Sequence, residues 1–134
     1  MLHVMSKPIV LTIAGSDSGG GAGIQADIKT ISATGSYACS VITAVTSQNT
    51  LGVQDIHPIP AVNIESQIDS VFQDLNIVSV KVGMLASSDI ICIVAEKLRQ
   101  YRPKYIVVDP VIISTSGSRL LDSDGLCCVI HFRS

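Results

Sequence analysis

The sequence contains little charge, and this shortage excludes several classes of protein. Only 15% of the 134 residues are charged, the formal net charge at pH 7 is -2, and no run of Lys or Arg occurs. The chain therefore lacks the positive surface that nucleic acids and anionic lipids bind. Because hydrophobic residues make up 47% of the chain, it is not a disordered polyampholyte either. We expect a folded protein that has neither nucleic acid nor a membrane among its partners.

Cysteine and histidine are also sparse, which argues against a metal centre built from them. The cysteines Cys39, Cys92, Cys127 and Cys128 form no C-x-x-C pair, and the three histidines are scattered. We therefore predict reduced thiols in a cytoplasmic protein. The longest uncharged stretch, residues 30–54, is interrupted by polar residues, so it does not have the composition of a membrane span. The apolar run near the N-terminus, roughly six residues long, is too short for a secretory signal.

The hydrophobic pattern predicts strands that alternate with helices. Short apolar runs predict strands at residues 8–14, 37–45, 52–59, 79–82 and 105–108. A helix is predicted after a glycine-rich segment, with Gly35 at its end; a second begins at Pro60, and a third is capped by Ser87 or Ser88. In the second helix, Asp69 is predicted on the polar face opposite the apolar stripe. This alternation favours an α/β fold with a mainly parallel sheet and right-handed crossovers.

Polar residues and a methionine follow the predicted strands, where ligands bind in open α/β sheets. The first strand is followed by Gly15, Ser16 and Asp17, the second by Ser47, Gln48 and Asn49, the fourth by Gly83 and Met84, and the fifth by Asp109, Pro110 and Val111. Because the carboxyl ends of parallel strands meet at one edge of the sheet, the pattern predicts a single site there.

The glycine-rich segment, residues 15–23, lets the backbone approach a ligand closely and leads into a helix N-terminus that attracts negative charge. Taken alone, it predicts a phosphate site. It is not a P-loop, because no Gly-Lys-Ser/Thr follows at the required spacing. Residues 21–26 fit G-x-G-x-x-A, but no acidic residue follows about twenty positions later to hold a ribose, which disfavours dinucleotide binding.

Four side chains near this edge each have a binding and a structural interpretation. Asp27 shares the inward stripe of the first helix, where it accepts hydrogen bonds either from backbone N–H groups of the loop or from a ligand amine or hydroxyl. Gln48 suits the edge of a heterocycle or a polar turn, and Met84 suits a ring face or ordinary core packing. Asp109 follows a strand, where an acid either helps to hold Mg²⁺ or caps a turn.

Several blocks of sequence together resemble the hydroxymethylpyrimidine and phosphomethylpyrimidine kinases of thiamine biosynthesis, in the ribokinase-like superfamily. The matching blocks are residues 14–17, 23–30, 40–44, 48–50, 81–85, 108–111 and 116–117. They follow the order and spacing of the family from about residue 9 to about residue 124. The resemblance implies a three-layer ribokinase-like fold.

The resemblance also implies roles for particular residues. The pyrimidine pocket would be lined by Gly15, Asp27, Gln48, Met84 and Val111, with Asp27 and Gln48 hydrogen-bonded to the ring amine or the hydroxymethyl group. ATP would be the co-substrate, and Asp109 would lie towards Mg²⁺ and the phosphates. The family places the glycine-rich loop beneath the pyrimidine, so the resemblance replaces the phosphate interpretation of that loop.

The second half of the family pattern does not occur in this sequence. In the family, that half carries the catalytic aspartate, a Gly-Thr-Gly-Cys-like anion hole and most of the nucleotide site. We therefore predict a single partial domain, family-like over about residues 9–124, with a divergent tail at residues 125–134 and no catalytic residue in this chain. Three functions stay open: the pyrimidine kinase, an inactive fragment that binds a pyrimidine, and a pyridoxal kinase-like activity in the full-length relative. The sequence leaves the oligomeric state open, a homo-oligomer included.

Overall fold

The computed structural model describes residues 6–109 and residue 111, which form one five-stranded sheet with helices on both faces. The elements are β1 (Ile9–Asp17), α1 (Gly23–Ala33), β2 (Tyr37–Asn49), β3 (Gly52–Pro58), α2 (Ala61–Asp74), β4 (Ile77–Val82), α3 (Ser88–Tyr101) and β5 (Tyr105–Val108). The predicted α/β class and the mainly parallel sheet are confirmed. The resemblance block at residues 116–117 and the predicted tail at residues 125–134 lie outside the described residues.

The strand β1 lies at the centre of the sheet, and the strands that follow it are added first on one side and then on the other. Its strand order is β3-β2-β1-β4-β5, and β1 pairs in parallel with both β2 and β4. The strand β5 is parallel to β4, whereas β3 returns antiparallel to β2. The chain thus adds strands on one side of β1 and then crosses to the other side. A crevice at such a switch point is where open α/β sheets bind ligands.

Alternate residues of β1 face the two sides of the sheet, as in any strand. Leu11 and Ile13 are fully buried in one apolar core, and Thr12 between them hydrogen-bonds to Asp27 of α1. The apolar core is formed with side chains of α2 and α3, including Ile64, Ile68, Ile91, Val94 and Leu98. Each such side chain contributes about 1.5–3 kcal/mol when fully buried. The α1 face is thinner, with Ile24 as the buried residue of that helix.

Local signals in the sequence set the helix ends. Gly35 follows α1 with φ of +88°, a left-handed conformation that glycine adopts without a steric penalty. Pro60 is the N-cap of α2, and Ser87 is the N-cap of α3, where its hydroxyl accepts a hydrogen bond from the Ile90 N–H. Among the described residues, no helix is both long and apolar enough to cross a membrane.

The contact between α2 and α3 carries a polar cluster that the predicted polar face of α2 did not anticipate. Lys97 Nζ lies 2.9 Å from both carboxylate oxygens of Asp69 and 2.9 Å from Glu65 Oε1. The Tyr101 hydroxyl donates to Asp69 Oδ1 at 2.6 Å, and its ring stacks on Phe72 with centroids 4.5 Å apart. The hydrogen bonds from Tyr101 and then Lys97 lower the pKa of Asp69. Asp69 therefore joins the two helices instead of facing only solvent.

Candidate functional site

A cavity of about 340 Å³ opens at the carboxyl edge of the sheet, over the switch point between β1 and β4. The ends of β1, β2 and β4, the start of α1 and one residue of β3 all line it. The six residues singled out from the sequence are all among its lining residues, namely Gly15, Asp27, Gln48, Met84, Asp109 and Val111. The fold thus brings together residues that are up to 96 positions apart, from Gly15 to Val111.

The glycine-rich loop is organised by the Asp17 carboxylate. Its Oδ1 accepts from the Gly19 N–H at 2.8 Å, and its Oδ2 accepts from the N–H groups of Gly21 and Ala22 at 2.9 and 2.8 Å. Asp17 is 6% exposed, so these bonds replace the water that a buried carboxylate has lost. The N–H groups of Gly19, Gly21 and Ala22, which would otherwise attract an external anion, are already paired. The phosphate interpretation of this loop taken alone is therefore not supported.

Two further side chains fix the loop against β1 and α1. The Gln25 amide accepts the Asp17 N–H through Oε1 at 2.8 Å and donates through Nε2 to Ser16 Oγ at 2.7 Å. Lys29 Nζ donates to the Gly20 carbonyl oxygen at 2.8 Å. The loop is therefore held at several points before any ligand binds.

The floor of the cavity is formed where Met84 passes over Gly15. A Cβ atom on Gly15 would lie 2.6 Å from Met84 Cε, so the bare backbone of Gly15 is what lets the thioether lie there. The Met84 backbone is in turn anchored, because its carbonyl oxygen accepts from Thr43 Oγ1 at 2.7 Å. A thioether against the bare backbone of Gly15 gives the cavity an apolar, polarisable surface suited to a ring.

Asp27 hydrogen-bonds to side chains and not to the backbone N–H groups considered from the sequence. Its Oδ2 accepts from Thr12 Oγ1 at 2.6 Å and from Lys81 Nζ at 3.0 Å. The role foreseen for backbone N–H groups belongs to Asp17 instead. Within the described part of the chain, Asp27 Oδ1 has no hydrogen-bond partner, so it keeps its capacity to accept a bond from a ligand.

Gln48 is held at the end of β2 by contacts to both its backbone and its side chain. The Ser18 hydroxyl donates to the Gln48 carbonyl oxygen at 2.6 Å and accepts from the Gln48 N–H at 2.8 Å. Thr46 Oγ1 donates its single proton to the Ser16 carbonyl oxygen at 2.8 Å and lies 3.2 Å from the side-chain Oε1 of Gln48. Among the described residues, the amide Nε2 of Gln48 has no hydrogen-bond partner, so this group remains to donate to a ligand.

Asp109 and Val111 close the cavity on the β5 side. The Asp109 N–H donates to the Val82 carbonyl oxygen at 2.8 Å, which continues the pairing of β4 and β5 by one residue. No group of three or more His, Cys, Asp and Glu within residues 6–109 and 111 is arranged to hold a metal ion. Asp109 could supply one oxygen ligand to Mg²⁺. Such a site fits Mg²⁺ only if substrate phosphates and water molecules provide the remaining ligands.

Sequence reasoning gave Lys81 no role beyond its place in the resemblance block at residues 81–85, and it missed several further lining residues. Lys81 is the penultimate residue of the mainly apolar strand β4, and Thr46, Val53 and Ala26 also line the cavity. A lysine within a buried strand is a signal of a paired charge, but its partner, Asp27, is 54 residues away in the sequence. Only the fold reveals that pairing.

Comparison with known proteins identifies similar sequences and structures. A profile of a family described as phosphomethylpyrimidine kinase matches residues 17–131. The chain is 51% identical over 123 residues to the hydroxymethylpyrimidine/phosphomethylpyrimidine kinase of Rhizobium meliloti. It is 53% identical over 122 residues to a probable thiamine biosynthetic bifunctional enzyme, chloroplastic, of Oryza sativa subsp. japonica. These alignments cover 92% and 91% of the chain, but 46% and 22% of the two relatives.

Solved structures give the same result for the fold. A phosphomethylpyrimidine kinase from Clostridium difficile superposes with a TM-score of 0.86 at 52% identity, covering 92% of this chain and 54% of that one. The pyridoxal kinase from Staphylococcus aureus in complex with pyridoxal gives a TM-score of 0.83 at 29% identity, covering 95% and 47%. The sheet corresponds to the N-terminal part of ribokinase-like kinase structures. The chain spans about half the length of these two kinases or less.

Proposed function

The chain belongs to the phosphomethylpyrimidine kinase family, and from this we propose that it is the pyrimidine-binding part of an ATP-dependent kinase. The substrates of that kinase would be 4-amino-5-hydroxymethyl-2-methylpyrimidine and its monophosphate. One observation carries the proposal: the residues that the family motifs predict for the pyrimidine pocket all line a single cavity at the switch point of the sheet. Its volume of about 340 Å³ lies within the range of small-molecule sites.

The chemistry of the cavity wall complements a substituted pyrimidine. Met84 and Gly15 offer an apolar surface to the ring, and the free Nε2 of Gln48 offers a donor to a ring nitrogen. Asp27 Oδ1 offers an acceptor to the exocyclic amine or to the hydroxymethyl hydroxyl. Val111, which also lines the cavity, adds a further apolar side chain to its wall.

The nucleotide and metal parts of the proposal rest on relatives. The pyridoxal kinase from Staphylococcus aureus has been solved with AMP-PCP and with ADP, which supports ATP as the co-substrate. We place Asp109 towards Mg²⁺, which would neutralise negative charge on the phosphates during phosphoryl transfer. Asp109 itself would position the ion through one carboxylate oxygen.

This polypeptide, taken alone, is proposed to bind the pyrimidine without phosphorylating it. The family resemblance assigns the catalytic aspartate and the anion hole to the half that this sequence does not contain. Phosphoryl transfer depends on positioning and on charge stabilisation, and both would be lost with those groups. Binding by the described cavity does not require them.

The proposal is tested by calorimetry together with a coupled ATPase assay. We expect the wild-type chain to release heat on titration with the pyrimidine, and an Asp27→Asn variant to bind more weakly. Asp55→Asn is the matched control, because Asp55 is exposed on β3 and away from the cavity. Absence of binding by the wild-type chain would refute the binding role, whereas ATP-dependent turnover would refute the statement that the chain alone is inactive.

A second candidate function is that of a pyridoxal kinase, favoured by the structural match to the pyridoxal complex from Staphylococcus aureus. A pyridine ring would occupy the same position against Met84, with Gln48 at its edge. Titration of the chain with pyridoxal alongside the pyrimidine separates the two functions by their dissociation constants.

A further inference from the structure

Lys81 forms an ion pair inside the cavity with Asp27. It lies in β4 directly opposite Thr12 of β1, so the two side chains leave the sheet on the α1 face. Lys81 Nζ is 3.0 Å from Asp27 Oδ2, and the side chains are 27% and 16% exposed. Both residues line the cavity. The pair is therefore partly shielded from water at the wall where a ligand would sit.

The two partners of Asp27 act on the same oxygen. Thr12 Oγ1 and Lys81 Nζ both donate to Oδ2, at 2.6 and 3.0 Å. Across the described residues, no buried side-chain oxygen lacks a hydrogen-bond partner. Since Oδ1 has no partner in that part of the chain, it must be reachable by solvent. The carboxylate is thus fixed through one oxygen and leaves the other available.

The backbone of β4 makes room for this contact. A Cβ atom on Gly83 would lie 3.1 Å from Lys81 Nζ and 3.0 Å from Ala14 Cβ. Any side chain at position 83 would therefore crowd the ammonium group, and Gly83 is buried against both neighbours. Gly83 thus leaves space for the Lys81 ammonium group beside it.

We propose that Lys81 is a positioning residue that, together with Thr12, holds Asp27 in the one orientation that presents Oδ1 to the ligand. The inference rests on the proposed function, since it concerns how the same cavity selects its pyrimidine. A carboxylate is an acceptor only. When its rotation is prevented, it favours ligands that place an N–H or O–H at Oδ1 and disfavours those that lack the donor, because Oδ1 then loses contact with water and gains no hydrogen bond in return. Without Lys81, Asp27 turns freely and this selectivity falls.

The test measures selectivity as well as affinity. Dissociation constants are determined by calorimetry for the pyrimidine, for an analogue without the amine and for an analogue without the hydroxyl. The 134-residue chain is compared with Lys81→Met and Lys81→Arg. We expect one analogue to bind the wild-type chain about tenfold more weakly than the parent compound, as the loss of a hydrogen bond to a charged group implies. In Lys81→Met this ratio falls towards one, and Lys81→Arg restores part of it.

A second pair of variants keeps the test decisive if Lys81→Met does not fold. Thr12→Ser retains the hydroxyl that donates to Asp27, and Thr12→Val removes it at nearly constant volume. We expect Thr12→Ser to keep the selectivity ratio and Thr12→Val to lower it. Lys7→Met is the control for the loss of a lysine, because Lys7 is exposed and does not line the cavity.

Each outcome separates this inference from the proposed function. If the wild-type chain binds none of the three compounds, the proposed function and the positioning role are both wrong. If the wild-type chain binds and discriminates, but Lys81→Met and Thr12→Val weaken all three compounds by one common factor, only the positioning role is wrong. A wild-type chain that binds the parent and both analogues equally well also overturns the positioning role alone.

Discussion

The carbonyl oxygen of Gly15 lies where a side chain on Gly23 would begin, because a Cβ at Gly23 would be 2.2 Å from it. Gly23 also has φ of +57°, and both residues line the cavity. In Gly23→Ala, we expect the start of α1 to move away from β1, which lowers the free energy of unfolding by at least about 2 kcal/mol and abolishes pyrimidine binding. Urea unfolding followed by circular dichroism, with calorimetry, measures both effects.

Gly35→Ala is the matched control for the energetic cost of placing alanine in a left-handed backbone conformation. Gly35 also has a positive φ, +88°, but a Cβ there would meet no atom within 4 Å. This variant therefore carries the cost of the left-handed conformation alone, about 1–2 kcal/mol, and should bind the pyrimidine normally. Equal losses of stability in the two variants would show that the contact with Gly15 has no effect.

Asp17→Asn should loosen the glycine-rich loop. The amide retains one acceptor oxygen and replaces the other by a donor, which faces the N–H groups that Asp17 now satisfies. Since hydrogen bonds to charged groups contribute about 1.5–3 kcal/mol each, we expect a loss of roughly 2 kcal/mol or more and faster amide hydrogen exchange at Gly19, Gly21 and Ala22. Hydrogen exchange measured by NMR checks this prediction residue by residue.

The exposed strand β3 provides a comparison for this substitution. Asp55→Asn makes the same chemical change at a residue that is exposed and makes no side-chain hydrogen bond to another described residue. Its stability and the exchange of the loop amides should stay at wild-type values. Slow exchange of the loop amides in Asp17→Asn would mean that β1 and α1 hold the loop without the carboxylate.

The parts of the fold that depend on local patterns were predictable. Apolar runs located all five strands of the described sheet, the apolar stripe opposite Asp69 located α2, and Gly35 marked the end of α1. The strands β1 and β2 extend beyond their predicted ends, to Asp17 and Asn49. Those extensions are polar segments whose backbone pairs with a neighbouring strand, and a pairing across the sheet is not encoded in the composition of either strand.

The candidate site was likewise predictable from the sequence only in part. That Asp17, Asp27 and Gln48 reach one edge of the sheet followed from the strand ends and the helix stripe. The sequence did not reveal that Asp17 bonds to the loop and Asp27 to side chains. Lys81 and Thr12 become neighbours of Asp27 only when β1, β4 and α1 pack together. Long-range pairings of polar groups are set by tertiary structure and carry no local periodicity.

In Tyr101→Phe, we expect the free energy of unfolding to fall less steeply as the pH is lowered into the acid range (the acid limb of the stability curve). The Tyr101 hydroxyl, followed by Lys97, holds the pKa of Asp69 below its usual value of about 3.8. A lowered pKa in the folded state stabilises the fold above the unfolded-state pKa, and this contribution is lost as the pH falls through the folded-state pKa. Without the hydroxyl the shift is smaller, so the variant should be less stable at pH 6 and lose less stability between pH 5 and pH 3.

The ring stack on Phe72 is kept in Tyr101→Phe, so the change isolates the hydroxyl. Tyr37→Phe serves as the control, because Tyr37 is exposed and its hydroxyl makes no hydrogen bond within the described part of the chain. Urea unfolding at a series of pH values gives the free energy of unfolding for each protein. Parallel acid limbs for wild type and Tyr101→Phe would contradict the assignment of the Asp69 shift to this hydrogen bond.

Gly15→Ala separates the shape of the cavity from the stability of the fold. Its new methyl group would lie 2.6 Å from Met84 Cε, the flexible end of a side chain, and 3.7 Å from the nearest backbone atom. Met84 can rotate away at a cost of about 0.5–1.5 kcal/mol, so the chain should fold but bind the pyrimidine at least about tenfold more weakly.

Adding Met84→Ala removes the clash and should recover the stability but not the affinity, because the surface against the ring is gone. Calorimetry and urea unfolding of the single and double variants distinguish these terms, and additive losses of stability would show that the two side chains do not interact.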